Sequence, residues 1–420
     1  MNATALGFST ERLDRLSQWL EAQVSSDRFA GASVLIGRHG KVAYQRAAGL
    51  ARVEQEQPFT SDTLVRIYSM TKPVTAVAAM QLYERGCFQL DDPLAKYLPE
   101  FENVAVWRGG HSPLDATVPA AQGPTIKQVM THTAGFTYGF MQANVVDEAY
   151  READLEFPGA QGSLAEGIER LAQLPLLCQP GSEWNYSVAS DVLGRLVEVW
   201  SGQSLTEYFQ EAIFEPLGMT ETGFHVPAGL EPRFASCYAP RSGKTLGGIA
   251  SPSTGASSAV TGYKLQDEAQ TSPFLQPATL YSGGGGLVST QQDYSRFCSM
   301  LLGDGALEDQ RLLSPRTVRY LRSNQLPGNR DMAALGQPVW SETSYNGIGF
   351  GLGVAVVIDP IEAAIITNAG EYHWGGAAST FFWIDPAEDL YCIFLTQLIP
   401  SSTYPVRREL RTLVYQALVD

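Results

Sequence analysis

The sequence predicts an α/β protein in which an antiparallel sheet is assembled from both ends of the chain and a mainly helical unit is inserted between them. Three observations predict it. Apolar runs of strand length, bounded by turn residues, cluster before residue 50 and again after residue 350. Apolar residues at helical spacing dominate the middle. An amphipathic segment at each end could cover one face of the sheet.

Taken in order, residues 10–26 read as a helix through Leu13, Leu16, Leu20 and Val24. Gly31 to Ile36 is an apolar run, Arg38-His39-Gly40 a turn and Lys41 to Arg46 a returning strand, which together make a hairpin. From residue 69, Val74, Val77, Met80 and Leu82 mark a helix ending at Gly86. Thr125 to Met130 reads as a capped helix entering the turn Thr131-His132-Thr133-Ala134-Gly135. Ser190 to Trp200 is helical through Val192, Leu196 and Val199, with Gly202 after it; residues 205–214 are helical and stop at Glu215-Pro216.

Residues 227–284 are rich in Gly, Ser and Pro and weakly periodic, the pattern of a functional wall, a lid or a disordered loop. Gly351 to Ile358, Ala363 to Thr367, Ala377 to Ile384 and Tyr391 to Gln397 read as strands, punctuated by Asp359-Pro360 and Asp385-Pro386. Val406 to Val419 reads as a closing helix. The expected division is a discontinuous α/β domain of residues 1–65 and 285–420, and a helical domain of residues 66–284 with long loops. The site is expected at their interface.

Composition narrows the function. With 420 residues, 44% hydrophobic and 17% charged, the chain can bury a large core, so global disorder is excluded. A net charge of −15 repels phosphate backbones and anionic lipid, so neither nucleic acid nor a membrane surface is an expected partner. The five cysteines stand far apart with no Cys-x-x-Cys pair, which reads as reduced thiols. Met1 to Thr10 carries no signal-peptide pattern and no apolar window reaches membrane-spanning length, so a cytoplasmic protein is expected. The five histidines show no metal-ligand spacing. The glycine run Ser282 to Gly286 lacks the Lys-Ser/Thr of a phosphate-binding loop.

Three short stretches could carry chemistry. Ser69-Met70-Thr71-Lys72 places serine and lysine about one helical turn apart, on one face, where their side chains can meet. Ser69 begins the helix, where free N–H groups favour developing negative charge. A serine hydroxyl is a weak nucleophile until a neighbouring base takes its proton, and a buried lysine can do so. Alone, the motif also describes a helix cap with a surface lysine. Tyr186, in Trp184-Asn185-Tyr186-Ser187, sits at the entry of the next helix, where its hydroxyl could exchange protons in a cleft or simply be a buried aromatic. In His373-Trp374-Gly375-Gly376-Ala377 two glycines open a strand, admit substrate close to the backbone and leave the following N–H free to donate to an oxyanion. No Gly-x-Ser-x-Gly elbow occurs. A Ser-His-Asp triad stays open, with His373 the one histidine beside a candidate site.

These stretches, with Ala30-Gly31-Ala32, the turn Thr131 to Phe136, Pro180-Gly181, Pro216-Leu217-Gly218-Met219 and Gly284 to Thr290, occur in an order that resembles the family VIII carboxylesterases, which are similar to class C β-lactamases. The resemblance covers nearly the whole chain. It implies a serine β-lactamase-like fold, with Ser69 as nucleophile, Lys72 as its proton acceptor and Tyr186 relaying the proton and later activating water. It implies an oxyanion hole of the Ser69 and Ala377 N–H groups, and Trp374 standing where β-lactamases place the lysine of Lys-Thr-Gly. Trp374, Gly375, Gly376, His373 and Tyr138 are expected to line the substrate site.

Two departures point away from penicillins. Val188 stands where the β-lactamase tyrosine motif ends in asparagine, and Trp374 offers no cation for a β-lactam carboxylate. The expectation is therefore a cofactor-free carboxylesterase for short- to medium-chain esters of small molecules, with at most weak cephalosporin hydrolysis. A β-lactamase or D-amino-acid peptidase, an acyltransferase, and a binding sensor that acylates and stalls remain as rivals. Oligomeric state is not legible.

Overall fold

The computed structural model describes residues 2–155, 162–241, 262–336 and 345–420. Helix α1 spans Thr10–Ser25; the Ser9 side chain accepts from the Arg12 N–H at its start, and Leu13, Leu16 and Leu20 are buried. Strands β1 (Gly31–Arg38) and β2 (Lys41–Arg52) form the expected hairpin. His39 and Gly40 both take positive φ (53° and 69°), as a two-residue turn with the right twist requires.

The hairpin joins β3 (Gln57–Pro58) and five late strands, β4 (Ile348–Phe350), β5 (Ala355–Val357), β6 (Tyr372–Gly375), β7 (Phe381–Asp385) and β8 (Leu390–Thr396). The eight-stranded sheet runs β4-β5-β6-β7-β8-β1-β2-β3, antiparallel throughout. The central pair aligns Ala32 with Thr396 and Ile36 with Cys392.

Alternation sorts side chains onto two covered faces. Val34, Ile36, Phe381, Trp383 and Phe394 pack in one core with α1 and the closing helix of Val406–Tyr415; Leu35, Phe382, Ile393 and Leu395 point into the other. That second core includes α2 (Thr71–Glu84), α3 (Ile126–Met130) and α4 (Ala189–Ser201), with α5 (Gln291–Leu302) laid across β1 and β8. The closing helix is α6. Helix α2 is buried without interruption from Thr71 to Leu82 and packs along α4. A helix buried on every side carries whatever polar group it holds into the core.

Some expected elements differ. The helix at 205–214 does not stop at Glu215-Pro216: Leu205–Phe209 widens into a π turn over Gln210–Phe214 that carries on through Pro216 to Leu217, ending at Gly218 with φ 63°. Gly351 to Ile358 is not one strand, because the chain turns after Phe350 and returns as β5, with Gly353 at φ 90° in the bend. Ala363 to Thr367 is not a strand. The Asp359 side chain accepts from Ile361 and Glu362 N–H and starts a short helix, Pro360–Ala363, which Ala364 closes in the left-handed region. The strand expected from Ala377 begins only at Phe381, because 376–380 is the turn joining β6 to β7. Within 227–284, Cys237–Pro240 pairs with Tyr263–Asp267; the part of the expected lid at 242–261 lies outside the described residues.

Candidate active site

Ser69 lies in a single 3-10 turn, Tyr68–Met70, that leads into α2. Tyr68 holds a φ of 43°, unusual for a side chain of its size, with its ring edge-on against Phe274. Such backbone strain persists where the surroundings fix it and costs about 1–3 kcal/mol. Ser69 stays partly exposed, while Lys72, one turn further, is 1% exposed.

The Lys72 ammonium donates three hydrogen bonds, to Ser69 Oγ (3.1 Å), to the Tyr138 hydroxyl (3.0 Å) and to the Gly284 carbonyl (2.7 Å). It also lies 4.6 Å from the Tyr186 ring centroid. Burial pushes this amine down to about 7, against the opposing pull of the Asp191 carboxylate. A lysine so placed is neutral in a large fraction of molecules near pH 7 and can accept a proton.

Tyr186 donates its hydroxyl to Ser69 Oγ at 2.6 Å. Burial pushes its proton affinity up, so it remains a phenol. Its loop is held at both flanks by His132, whose carbonyl accepts from Asn185 N–H (2.8 Å) and whose Nδ1 meets Ser187 Oγ (3.0 Å). Val188, fully buried, leads into α4.

Strand β6 supplies the opposite wall. The Trp374 ring lies 5.4 Å from Tyr186 and 5.3 Å from Phe350. Gly376 lies so close to the Ser69 turn that a Cβ there would sit 2.3 Å from the Ile67 carbonyl, so only glycine lets the strand end approach. Gly376 N–H is spent on Thr380 O (2.8 Å); the next amide, Ala377, finds no backbone acceptor among the described residues. Gly375 faces Arg407 instead.

The structure therefore brings Ser69, Lys72, Tyr186, Tyr138, Trp374 and the Gly376-Ala377 turn together. It does not bring His373. Successive residues of a strand point to opposite faces, and His373 points toward α6, where Nδ1 meets Glu371 Oε1 at 3.0 Å. Sequence reasoning placed Tyr138 on the substrate wall and missed its bond to Lys72. It also missed the Gly284 carbonyl, although the glycine run was the visible signal, and Asp191, an acid on the buried side of α4. Among the described residues no group of three or more His, Cys, Asp or Glu could hold a metal ion, and no helix is long and apolar enough to cross a membrane. The five cysteines are free thiols.

The chain matches the Beta-lactamase family over residues 16–416. It is 35% identical to Protein Rv1367c of Mycobacterium tuberculosis over 376 residues, covering 89% of this chain and 86% of that one. It is 31% identical to Esterase EstB of Burkholderia gladioli over 408 residues, covering 96% and 94%. Among solved structures, EstCE1, described as a hydrolase with promiscuous acyltransferase activity, superposes with a TM-score of 0.74 at 28% identity over 96% of this chain and 99% of that one. The chain thus belongs to the Beta-lactamase family, as a serine hydrolase of the family VIII carboxylesterase-like kind with the β-lactamase-like fold.

Proposed function

We propose that the protein is a carboxylesterase hydrolysing short- to medium-chain esters of small molecules through an acyl-enzyme on Ser69. The observation that carries this reading is that one partly exposed serine oxygen meets both a buried lysine with depressed proton affinity and a tyrosine hydroxyl, at 3.1 and 2.6 Å. As Ser69 Oγ bonds to the ester carbonyl carbon, its proton passes to neutral Lys72. The Ser69 and Ala377 N–H groups receive the oxyanion; one such donor is worth about 3–4 kcal/mol. Tyr186 protonates the departing alkoxide and is resupplied by Lys72. Water then repeats the sequence against the acyl carbonyl, its proton returning through Tyr186 to Ser69.

The aromatic wall of Trp374, Phe350 and Tyr138 fits an uncharged acyl or alcohol group; Val188 offers no hydrogen bond, and Trp374 no cation, for a β-lactam carboxylate. We read the site as the interface between the sheet domain and the inserted helical domain. The free thiols fit a reducing, cytoplasmic setting. Hydrolysis of p-nitrophenyl butyrate compared with nitrocefin tests the reading: the ester is expected to be the better substrate, and a higher kcat/KM for nitrocefin would make the protein a β-lactamase.

A second reading, acyl transfer to an alcohol, is favoured by the activity described for EstCE1. Product analysis with a competing acceptor alcohol separates it from hydrolysis.

A further inference from the structure

One buried group near the site takes no part in the mechanism above. Asp191, on the first turn of α4, is 0% exposed. Its Oδ1 accepts from Ser282 Oγ at 2.6 Å and from Gly284 N–H at 3.1 Å. Its Oδ2 has no hydrogen-bond partner among the described residues. A buried carboxylate with an unsatisfied oxygen is costly, so its retention calls for a reason.

The turn it grips supplies that reason. Residues 282–284 are clamped between two helices: Asp191 of α4 holds Ser282 and Gly284, and Thr75 Oγ1 of α2 donates to the Gly283 carbonyl at 2.7 Å. A Cβ on Gly284 would sit 2.5 Å from Asp191 Oδ2, so glycine is what allows the turn to close on the carboxylate. Gly284 then presents its carbonyl to Lys72 in the shortest of the three bonds that the ammonium makes. The anchored turn holds that acceptor in place.

We propose that Asp191 is a positioning residue for Lys72: through the Ser282–Gly284 turn it fixes the carbonyl that aims the lysine at Ser69, and it sets a single negative charge behind that lysine. This rests on the reading of Ser69 and Lys72 as the reacting pair. The groups that face the amine are the Tyr138 hydroxyl, Ser69 and the Tyr186 ring; His132, held uncharged by burial, stands behind Tyr186, and Arg407 acts on Tyr186 from α6. Burial pushes the Asp191 carboxyl up and the Lys72 charge opposes that, while the Asp191 charge in turn favours the protonated lysine. Removing it lets the lysine lose its proton at lower pH.

The test is the pH profile of kcat/KM for p-nitrophenyl butyrate in the wild type, Asp191→Asn and Ser282→Ala, with Ser69→Ala as control and thermal melts for folding. Asparagine keeps an oxygen for Ser282 and Gly284 but removes the charge. Its acid limb is expected to move to lower pH by about one unit. Its kcat is expected to change less than about 10-fold, because the turn keeps its anchor. Ser282→Ala, which loosens the turn while leaving the charge, is expected to lower kcat about 10-fold with KM little changed. Wild-type profiles and kcat in both variants, or in Ser282→Ala alone should Asp191→Asn not fold, would overturn the inference while leaving Ser69 as nucleophile. Substantial turnover by Ser69→Ala would overturn the underlying reading instead, and the inference with it.

Discussion

Strand β6 carries two polar clusters on opposite faces, and they are built in opposite ways. Toward α6, Glu371 accepts from Arg411 Nη2 (2.6 Å) and Nε (2.9 Å), from Thr367 Oγ1 (2.5 Å), and meets His373 Nδ1 (3.0 Å). Burial pushes the Glu371 carboxyl up, but Arg411 and His373 override it and hold it at about 2. Burial, reinforced by Arg411, pushes His373 down to about 4. Both carboxylate oxygens are satisfied, so the cluster fastens the sheet to its covering helix and has no capacity left for a reaction. Toward α2, the Trp374 face meets groups that are under-paired: among the described residues Asp191 Oδ2 has no hydrogen-bond partner and the Ala377 amide no backbone acceptor, and Ser69 Oγ is reached by two proton carriers at once. Adjacent residues of one strand thus contribute to a fastening and to a site poised for proton transfer. What separates them is saturation, since both are buried and both are charged.

The contrast can be broken most sharply on the reactive face. Ser69→Ala is expected to lower kcat/KM for p-nitrophenyl butyrate by about 10⁴-fold or more, with Lys72→Ala and Tyr186→Phe each nearly abolishing turnover, because groups that act as a unit fail as a unit. Thermal melts should show all three folded. A folded Ser69→Ala with substantial activity would dissolve the distinction between the faces.

On the saturated face the expected effect is on stability. Glu371→Gln leaves Arg411 buried without its counter-charge and is expected to cost about 3–5 kcal/mol in denaturant unfolding, since breaking a buried pair strands the remaining ion. His373→Gln should leave kcat/KM at the wild-type level. A large loss of turnover in a stable His373→Gln protein would return that histidine to the substrate site.

A smaller effect sharpens the comparison without mutation. Lys72 must be neutral to take the serine proton, and burial sets its affinity near 7. Wild-type kcat/KM is therefore expected to rise with pH through a single ionisation close to neutrality and to level off above it. Activity that falls across that range would assign the proton-accepting role elsewhere.

How far the molecule could be read from its residues follows the same division. The meeting of Ser69 and Lys72 was legible because three residues span nearly one helical turn, a local fact. Tyr186 and Trp374 were legible through the order of short motifs and the resemblance that order carries. The hairpin at His39-Gly40, the capped helix at Thr125 and the two terminal helices were legible from period and punctuation. The partners of Lys72 beyond Ser69 were not. Gly284 contributes a backbone atom, which no side-chain pattern announces, and Tyr138 reaches the amine from a loop whose path tertiary packing decides. Asp191 sits inside an apolar helix face and looks there like an ordinary surface acid out of phase. The misread late strands have a local cause. Asp359-Pro360 serves equally as a turn signal and as the cap and first residue of a helix. The apolar Gly351 to Ile358 conceals a bend, because its turn is itself apolar and glycine-rich.

The central claim is that Ser69 is the nucleophile, and covalent labelling tests it most directly. After incubation with a fluorophosphonate, the intact protein is expected to gain the mass of one phosphonyl group, with peptide mapping placing it on Ser69 and none on Ser69→Ala. A label on another residue, or undiminished labelling of Ser69→Ala, would contradict the account.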